Sequence, residues 1–186
     1  MIRNKVPHIF FLIFLISFLI SFSVHADWKP GIDGNKIILI RHSIAPGSGD
    51  PSGFNINKCD TQRNLSKEGI NQSKNIGKLF KENRIKIHKV LSSQWCRCKD
   101  TAKYAFGKYK EFSALNSTFQ SPFDKNAQKQ LKELKDYIKN WEGNGGNLIL
   151  VTHYVIISAL TNFAPRSGEI VIIDKNLNIL STIITN

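Results

Sequence analysis

The sequence predicts an α/β domain of three layers, α/β/α, around a mostly parallel central sheet that ends in a C-terminal antiparallel hairpin. Three observations carry this. The runs Ile37-Ile38-Leu39-Ile40 and Leu148-Ile149-Leu150-Val151 are short, uninterrupted and apolar, as strands buried on both faces are. Segments of helical period alternate with such runs, an order that places helices on both faces of a parallel sheet. Residues 169–174 and 179–185 are apolar segments on either side of Lys175-Asn176-Leu177-Asn178, the pattern of a hairpin.

The chain opens with a leader pattern. Arg3 and Lys5 supply positive charge, residues 9–24 are almost entirely Phe, Leu, Ile and Ser, and Val24-His25-Ala26 puts small or aliphatic residues at cleavage positions. A secretory signal peptide over residues 1–26, cut after Ala26, is expected. The alternative is a retained anchor, since the apolar run is near the ~18-residue lower limit of a spanning helix. Either way the remainder, one domain over residues 27–186, is expected outside the cytoplasm, periplasmic or secreted.

Within that domain, residues 27–35 read as a Gly/Pro/Asp entry loop and residues 36–41 as the first strand. The loop Pro46-Gly47-Ser48-Gly49-Asp50-Pro51-Ser52-Gly53 is dense in turn formers; directly after a strand tip, it is a natural wall for a binding site. Ser66 is positioned as an N-cap, and Ile70, Ser73, Ile76, Gly77 and Phe80 mark the inner face of the helix it opens. Residues 89–92 read as a second strand and 98–109 as a helix with Ala102, Ala105 and Phe106 inward. Ala127, Leu131, Leu134, Ile138 and Trp141 recur at helical spacing, a stripe that core packing explains in full. Residues 143–146 break this helix. The strand ending at His153 follows, then a short apolar helix over 155–163 and the hairpin.

The formal net charge of +12 over 186 residues favours anionic partners such as phosphorylated substrates or an anionic envelope surface. The lysines are spread along the whole chain, with no basic segment interleaved with aromatics, so a nucleic-acid partner is not expected. An oxidising compartment permits a disulfide. Cys59 can pair with Cys96 or with Cys98, leaving one thiol free. Cys96-Arg97-Cys98 lacks the C-x-x-C spacing and has no further cysteine partner, so a zinc site is not expected.

The chemistry concentrates at strand tips. In open α/β sheets, ligands bind outside the carboxyl ends of the strands. One apolar run ends in Arg41-His42, another in Thr152-His153, and Arg97 lies just past the second strand. A buried phosphate dianion needs several fixed cations or donors, and the planar fork of arginine can hold two oxygens at once. The four side chains converge on one crevice if the strands that bear them are neighbours. A lone histidine or arginine at a strand end is commonly structural; the weight comes from four at equivalent places.

These residues sit in four stretches that together resemble the histidine phosphatase superfamily, the phosphoglycerate-mutase-like fold. Ile40-Arg41-His42-Ser43 resembles its R-H-G signature. Leu65-Ser66-Lys67-Glu68-Gly69-Ile70-Asn71-Gln72 resembles its L-[ST]-x-x-G-x-x-Q element. Ser93-Gln94-Trp95-Cys96-Arg97-Cys98-Lys99-Asp100-Thr101-Ala102 resembles S-x-x-x-R-x-x-x-T-A, and Val151-Thr152-His153 its second histidine motif. Gly49-Asp50-Pro51, Gln62-Arg63-Asn64-Leu65 and Gly168-Glu169 are similar to a secreted bacterial branch that includes lipopolysaccharide core heptose phosphatases.

The resemblance implies that His42 is a nucleophile forming a phosphohistidine, which suits the nucleophilicity of neutral imidazole. It implies that Arg41, Arg97 and His153 clamp the phosphoryl oxygens. Ser48 lies where the family often has another phosphate-contacting side chain, or is an ordinary turn residue. No metal and no cofactor are implied, because arginines take the cationic role. The implied partner is a phosphorylated small molecule or glycan, with no membrane span in the mature chain. Two positions depart from the pattern: Ser43 replaces the glycine, and Asn116 stands where many relatives carry a general-acid Glu. Asp50 and Asp124 are nearby in sequence as substitutes for that acid, without a motif match. The expected function is an extracytoplasmic phosphomonoesterase acting on a sugar phosphate of the envelope. The alternatives are a phosphohistidine or phosphoramidate phosphatase, favoured by the missing Glu, and a phospho-ligand binding module without turnover.

Overall fold

The structure, a computed structural model, describes residues 27–185, and the expected leader, residues 1–26, lies outside them. Six strands form one sheet: β1 (Ile37–Arg41), β2 (Ile87–Ser92), β3 (Lys110–Glu111), β4 (Asn147–Thr152), β5 (Ile170–Ile173) and β6 (Ile179–Ile183). Their order is β3-β2-β4-β1-β5-β6. β1, β2, β3 and β4 run parallel, while β5 is antiparallel to β1 and β6 to β5. Five helices join them: α1 (Lys29–Asp33), α2 (Lys67–Glu82), α3 (Cys96–Phe106), α4 (Ala127–Asn140) and α5 (Tyr154–Thr161).

Alternation along the strands builds two cores. Ile38, Ile40, Ile149, Val151, Ile170 and Ile172 face α2 and α3, meeting Ile76, Phe80, Trp95 and Ala102. Ile37, Leu39, Leu148, Leu150, Val171 and Ile173 face α4 and α5, meeting Leu134, Ile138, Ile156 and Leu160. Each such side chain fully buried contributes roughly 1.5–3 kcal/mol. The uninterrupted apolar runs therefore follow from a sheet covered on both sides. No helix among the described residues is long and apolar enough to cross a membrane.

The architecture is the expected three-layer one, and the differences fall at edges. Residues 27–35 are not only a loop: Trp28 packs edge-on against Phe80, with ring centroids 5.5 Å apart. The single turn α1 follows, with Pro30 in its first turn and Gly34 at φ 73° ending it. One turn is too short to show a period. β2 begins at Ile87 rather than residue 89, and a register shift between Ile87 and Lys89 blurs the alternation there. α3 starts at Cys96, ahead of the expected residue 98, and stops before residue 109 because Gly107, at φ 77°, turns the chain away. α5 spans Tyr154–Thr161 rather than 155–163, closed by Asn162 in the left-handed region. β3 has two residues, paired with Leu91 and Ser92, and carries no sequence signal of its own.

Candidate active site

Because β2, β4 and β1 are parallel neighbours, their carboxyl ends open on one side. Arg41 closes β1 opposite Thr152 of β4, and His42 and His153 follow directly. Their rings meet edge to face, 5.5 Å between centroids, and each residue is 2% exposed. Arg41, His42, Ser48, Arg97 and His153 all line one cavity of about 80 Å³. A single water needs about 10–15 Å³ on that measure, so the cavity has room for a tetrahedral oxyanion. Asp50 and Arg63 line it too, and Ser117, Phe119, Gln120 and Tyr154 complete its wall.

The turn that presents His42 is braced from three directions by motif residues that do not enter the cavity. Thr101 Oγ1 donates to the Arg97 carbonyl at 2.7 Å and accepts from Ser43 N at 3.0 Å. Gln72 Oε1 accepts from Ile44 N at 3.0 Å, and its Nε2 donates to the Ser167 carbonyl at 2.9 Å. Gly69 passes so close beneath that a Cβ there would lie 2.0 Å from the Ile44 carbonyl oxygen. This α2 turn is held by the Ser66 cap, whose Oγ accepts from Gly69 N at 3.1 Å. The serine at position 43 is accommodated: it is fully buried, and its hydroxyl lies 2.8 Å from that of Ser73.

His42 Nδ1 lies 2.9 Å from the Ser43 carbonyl oxygen. A carbonyl only accepts, so Nδ1 carries the proton and Nε2 carries the lone pair. His153 Nε2 lies 2.9 Å from Ser93 Oγ and 3.4 Å from Cys98 Sγ. Burial first, and then the charge of Arg97, hold both imidazoles well below their ordinary value, so both are neutral at neutral pH. Burial pushes the Cys98 thiol up to about 12, leaving it protonated.

Three guanidinium groups surround these rings. Arg41 Nη1 donates to the Pro165 carbonyl at 2.9 Å, and the guanidinium stands 5.4 Å from the centre of the Tyr154 ring. Arg97 directs both terminal nitrogens at Asp50, with Nη1 to Oδ1 at 2.7 Å and Nη2 to Oδ2 at 3.2 Å. The two side chains of this pair are 3% and 4% exposed. Arg41 Nε and Arg97 Nε are buried and have no partner among the described residues, an unusual state for donors so strong. Arg63 Nε donates to the Gly49 carbonyl at 2.8 Å, and its Nη1 donates to the Ala45 carbonyl. The α5 N-terminus, with His153 as its cap residue, adds a partial positive charge to the same place.

Neither acidic candidate is placed to donate a proton. Burial alone would raise the Asp50 pKa, but the hydrogen bonds and charge of Arg97, with Trp95 Nε1 at 2.8 Å and Arg63 N at 3.2 Å, lower it on balance. Asp50 is thus an ionised counterion. Asp124 sits in an exposed turn that does not line the cavity. Asn116 is turned toward Gln94: its Oδ1 accepts from Gln94 N at 2.9 Å, and its Nδ2 donates to Gln94 Oε1 at 2.8 Å. Ser93 Oγ reaches Asn116 Oδ1 at 3.2 Å, so Asn116 stands behind the Ser93–His153 contact.

The cysteine alternatives resolve to Cys59–Cys96, with Cys98 free and buried. The bridge ties the segment before Arg63 to the first residue of α3, directly before Arg97. Gln62 Oε1 reinforces it by accepting from Cys96 N at 2.9 Å. The sequence assigns Arg63 no role, although Gln62-Arg63-Asn64-Leu65 stands out as a motif. Its only other signal is that it lies in a polar loop, three residues before the N-cap Ser66.

No family model matches the chain, and no curated protein matches it. Solved structures do. The chain is similar to the protein histidine phosphatase SixA complexed with tungstate, at 13% identity and a TM-score of 0.53, covering 80% of this chain and 96% of that one. It is similar to a phosphoglycerate mutase from Thermus thermophilus, at 13% identity and a TM-score of 0.55, covering 81% and 99%. A candidate alpha-ribazole-5'-P phosphatase from Escherichia coli matches at 14% identity and a TM-score of 0.57, covering 82% and 97%. The six-stranded mixed sheet, its helical layers and these likenesses show that the chain has the phosphoglycerate-mutase-like fold.

Proposed function

We propose that this chain is a phosphomonoesterase that works through a phosphohistidine on His42. The observation that carries the reading is the His42 imidazole: its Nδ1–H is committed to the Ser43 carbonyl, and its Nε2 lone pair lies in a cavity lined by three arginines. Nε2 attacks phosphorus, the P–N bond forms and the ester P–O bond breaks. The departing oxygen takes its proton from water, since Asp50 is ionised and Asn116 is turned away. Water then attacks the phosphohistidine, breaking the P–N bond and releasing inorganic phosphate. Arg41, Arg97 through its free Nε, and neutral His153 hold the phosphoryl oxygens as charge redistributes. Three guanidinium groups and one carboxylate leave two net positive charges, which balances a monoester dianion better than a diester monoanion.

The location we propose is outside the cytoplasm. The leader pattern supports it, as does the Cys59–Cys96 bridge, since disulfides persist in oxidising compartments. The substrate we propose is a sugar phosphate of the envelope. Phe119 and Tyr154 present exposed rings beside the cavity, 5.9 Å apart, and Ser117 and Gln120 supply polar neighbours for hydroxyl groups. A second reading, hydrolysis of phosphohistidine or another phosphoramidate, is favoured by the lack of a protonated acid in the cavity, because its leaving nitrogen needs less help. Its similarity to a protein histidine phosphatase supports it as well. Binding without turnover is the third outcome.

The test is hydrolysis of p-nitrophenyl phosphate and a panel of sugar phosphates and phosphoramidates by the wild type and His42→Ala. A loss of at least about 10³-fold in the variant is expected, as for removal of a covalent nucleophile. Full activity in His42→Ala overturns the assignment. Phosphate bound without turnover of any panel member establishes the binding module instead.

A further inference from the structure

We propose that Arg63 is a phosphoryl-binding residue, offering the guanidinium edge that Arg97, held by Asp50, does not. The inference rests on reading the cavity as a phosphoryl site. Arg97 spends both terminal nitrogens on the Asp50 carboxylate, at 2.7 and 3.2 Å, and its Nη1 also stands 3.4 Å from the Arg63 carbonyl. What remains for an incoming oxyanion is the Nε side. Asp50 is itself fixed by Trp95 Nε1 and Arg63 N. A phosphate that claimed the Arg97 fork would have to expel a buried, fully hydrogen-bonded carboxylate, leaving that charge without compensation.

Arg63 is built the other way round. Its Nε and Nη1 are bonded to the carbonyls of Gly49 and Ala45. These bonds set the plane of the guanidinium and leave Nη2 without an acceptor among the described residues. The residue lines the cavity together with His42 and His153. The Cys59–Cys96 bridge and the Gln62–Cys96 hydrogen bond join the Arg63 segment to the start of the helix that carries Arg97. Two arginines on joined segments thus divide the work: Arg97 anchors the Asp50 loop and keeps only its Nε side for the ligand, and Arg63 keeps Nη2. The ligand class is a dianionic tetrahedral oxyanion, a phosphomonoester or free orthophosphate.

The experiment measures binding of inorganic phosphate by calorimetry, and hydrolysis of p-nitrophenyl phosphate, for the wild type, Arg63→Gln and Arg63→Lys. Arg63→Gln is expected to weaken phosphate binding about 10- to 100-fold, the scale of a lost charge-assisted contact, and to lose the rise in melting temperature that phosphate gives the wild type. Arg63→Lys is expected to recover part of this. A residue that only braces the loop would lower the melting temperature without ligand and leave phosphate affinity alone. A folded Arg63→Gln protein that binds phosphate within twofold of the wild type overturns the proposal. If Arg63→Gln does not fold, Arg63→Lys decides: affinity equal to the wild type overturns it, and a severalfold loss supports it. A wild type that binds phosphate but hydrolyses no ester or phosphoramidate sinks the phosphatase reading and leaves the role of Arg63 standing.

Discussion

His42 and His153 are neutral because of where they sit, and this has a measurable cost in acid. In the unfolded chain both would take up protons near the ordinary imidazole value of about 6.5. In the fold, burial and then Arg97 hold both pKa values well below it. The stabilising contribution is therefore complete above about 6.5 and is lost as pH falls from there toward the depressed folded values, at about 1.4 kcal/mol per pH unit for each histidine. Thermal melting from pH 7.5 to 5 should show stability falling with acid, and His42→Phe should flatten the slope. Bound phosphate should flatten it also, since an anion favours the protonated rings. A melting temperature independent of pH over this range would mean that the imidazoles are solvated. Arg41, His42 and His153 were legible in the sequence because a strand end fixes where its next residue lies, and Arg97 because it falls in the first turn of the helix that follows β2. Arg63 and Asp50 were not, because their places depend on how the loop over residues 46–53 folds back. The sequence offers Asp50 as a substitute proton donor, and only its hydrogen bonds to Arg97, Trp95 and Arg63 identify it as a counterion.

Elements position the site through close backbone approach. α2 lies against the His42 turn at Gly69 and against α3 at Gly77, where a Cβ would stand 2.2 Å from the Ala105 carbonyl oxygen. Both contacts are with backbone, so an added methyl group must push α2 away. The cost is about 1–3 kcal/mol, as for other overpacked sites. The consequences differ. Gly77→Ala separates two helices away from the cavity. Gly69→Ala displaces Ile44, next to the Ser43 carbonyl that orients His42. Urea unfolding should therefore show both variants destabilised, whereas kcat should fall well beyond the stability loss only in Gly69→Ala. Equal kcat in the two would sever the link between α2 and the His42 turn. The glycine and the glutamine of the Leu65–Gln72 motif were visible in the sequence, but their task was not. It is a contact across more than twenty residues, outside the reach of local periodicity. The same holds for α1 and β3, which are too short to carry a period: α1 is anchored by its cap residue Trp28 on Phe80, and β3 by pairing with Leu91 and Ser92.

At the scale of the molecule, the three-layer architecture was legible because chains of Ile, Leu and Val must be covered on both faces and the alternating helices supply the cover. The strand order β3-β2-β4-β1-β5-β6 was not, because burial on both faces does not say which strands are neighbours. The charge has a use that neither strand nor helix patterns describe. With a formal net charge of +12, two of it from Arg3 and Lys5 of the leader, and three arginines at one opening, the field over the cavity is positive, and the phosphorylated substrate proposed above would drift toward it before contact. Salt shortens that reach: the Debye length falls from ~30 Å at 0.01 M to ~8 Å at 0.15 M ionic strength. Raising ionic strength over this range with an innocuous salt such as sodium acetate should lower kcat/KM for p-nitrophenyl phosphate by about tenfold, the low end of steered associations. kcat should hold, because His42, Arg97 and His153, which the proposed function sets on the phosphoryl, are buried and little screened. Arg63→Gln should show a shallower dependence than the wild type, having lost one of the charges that the substrate meets first. A kcat/KM that stays level with salt would leave the surface lysines without a part in capture and assign binding to the buried groups alone.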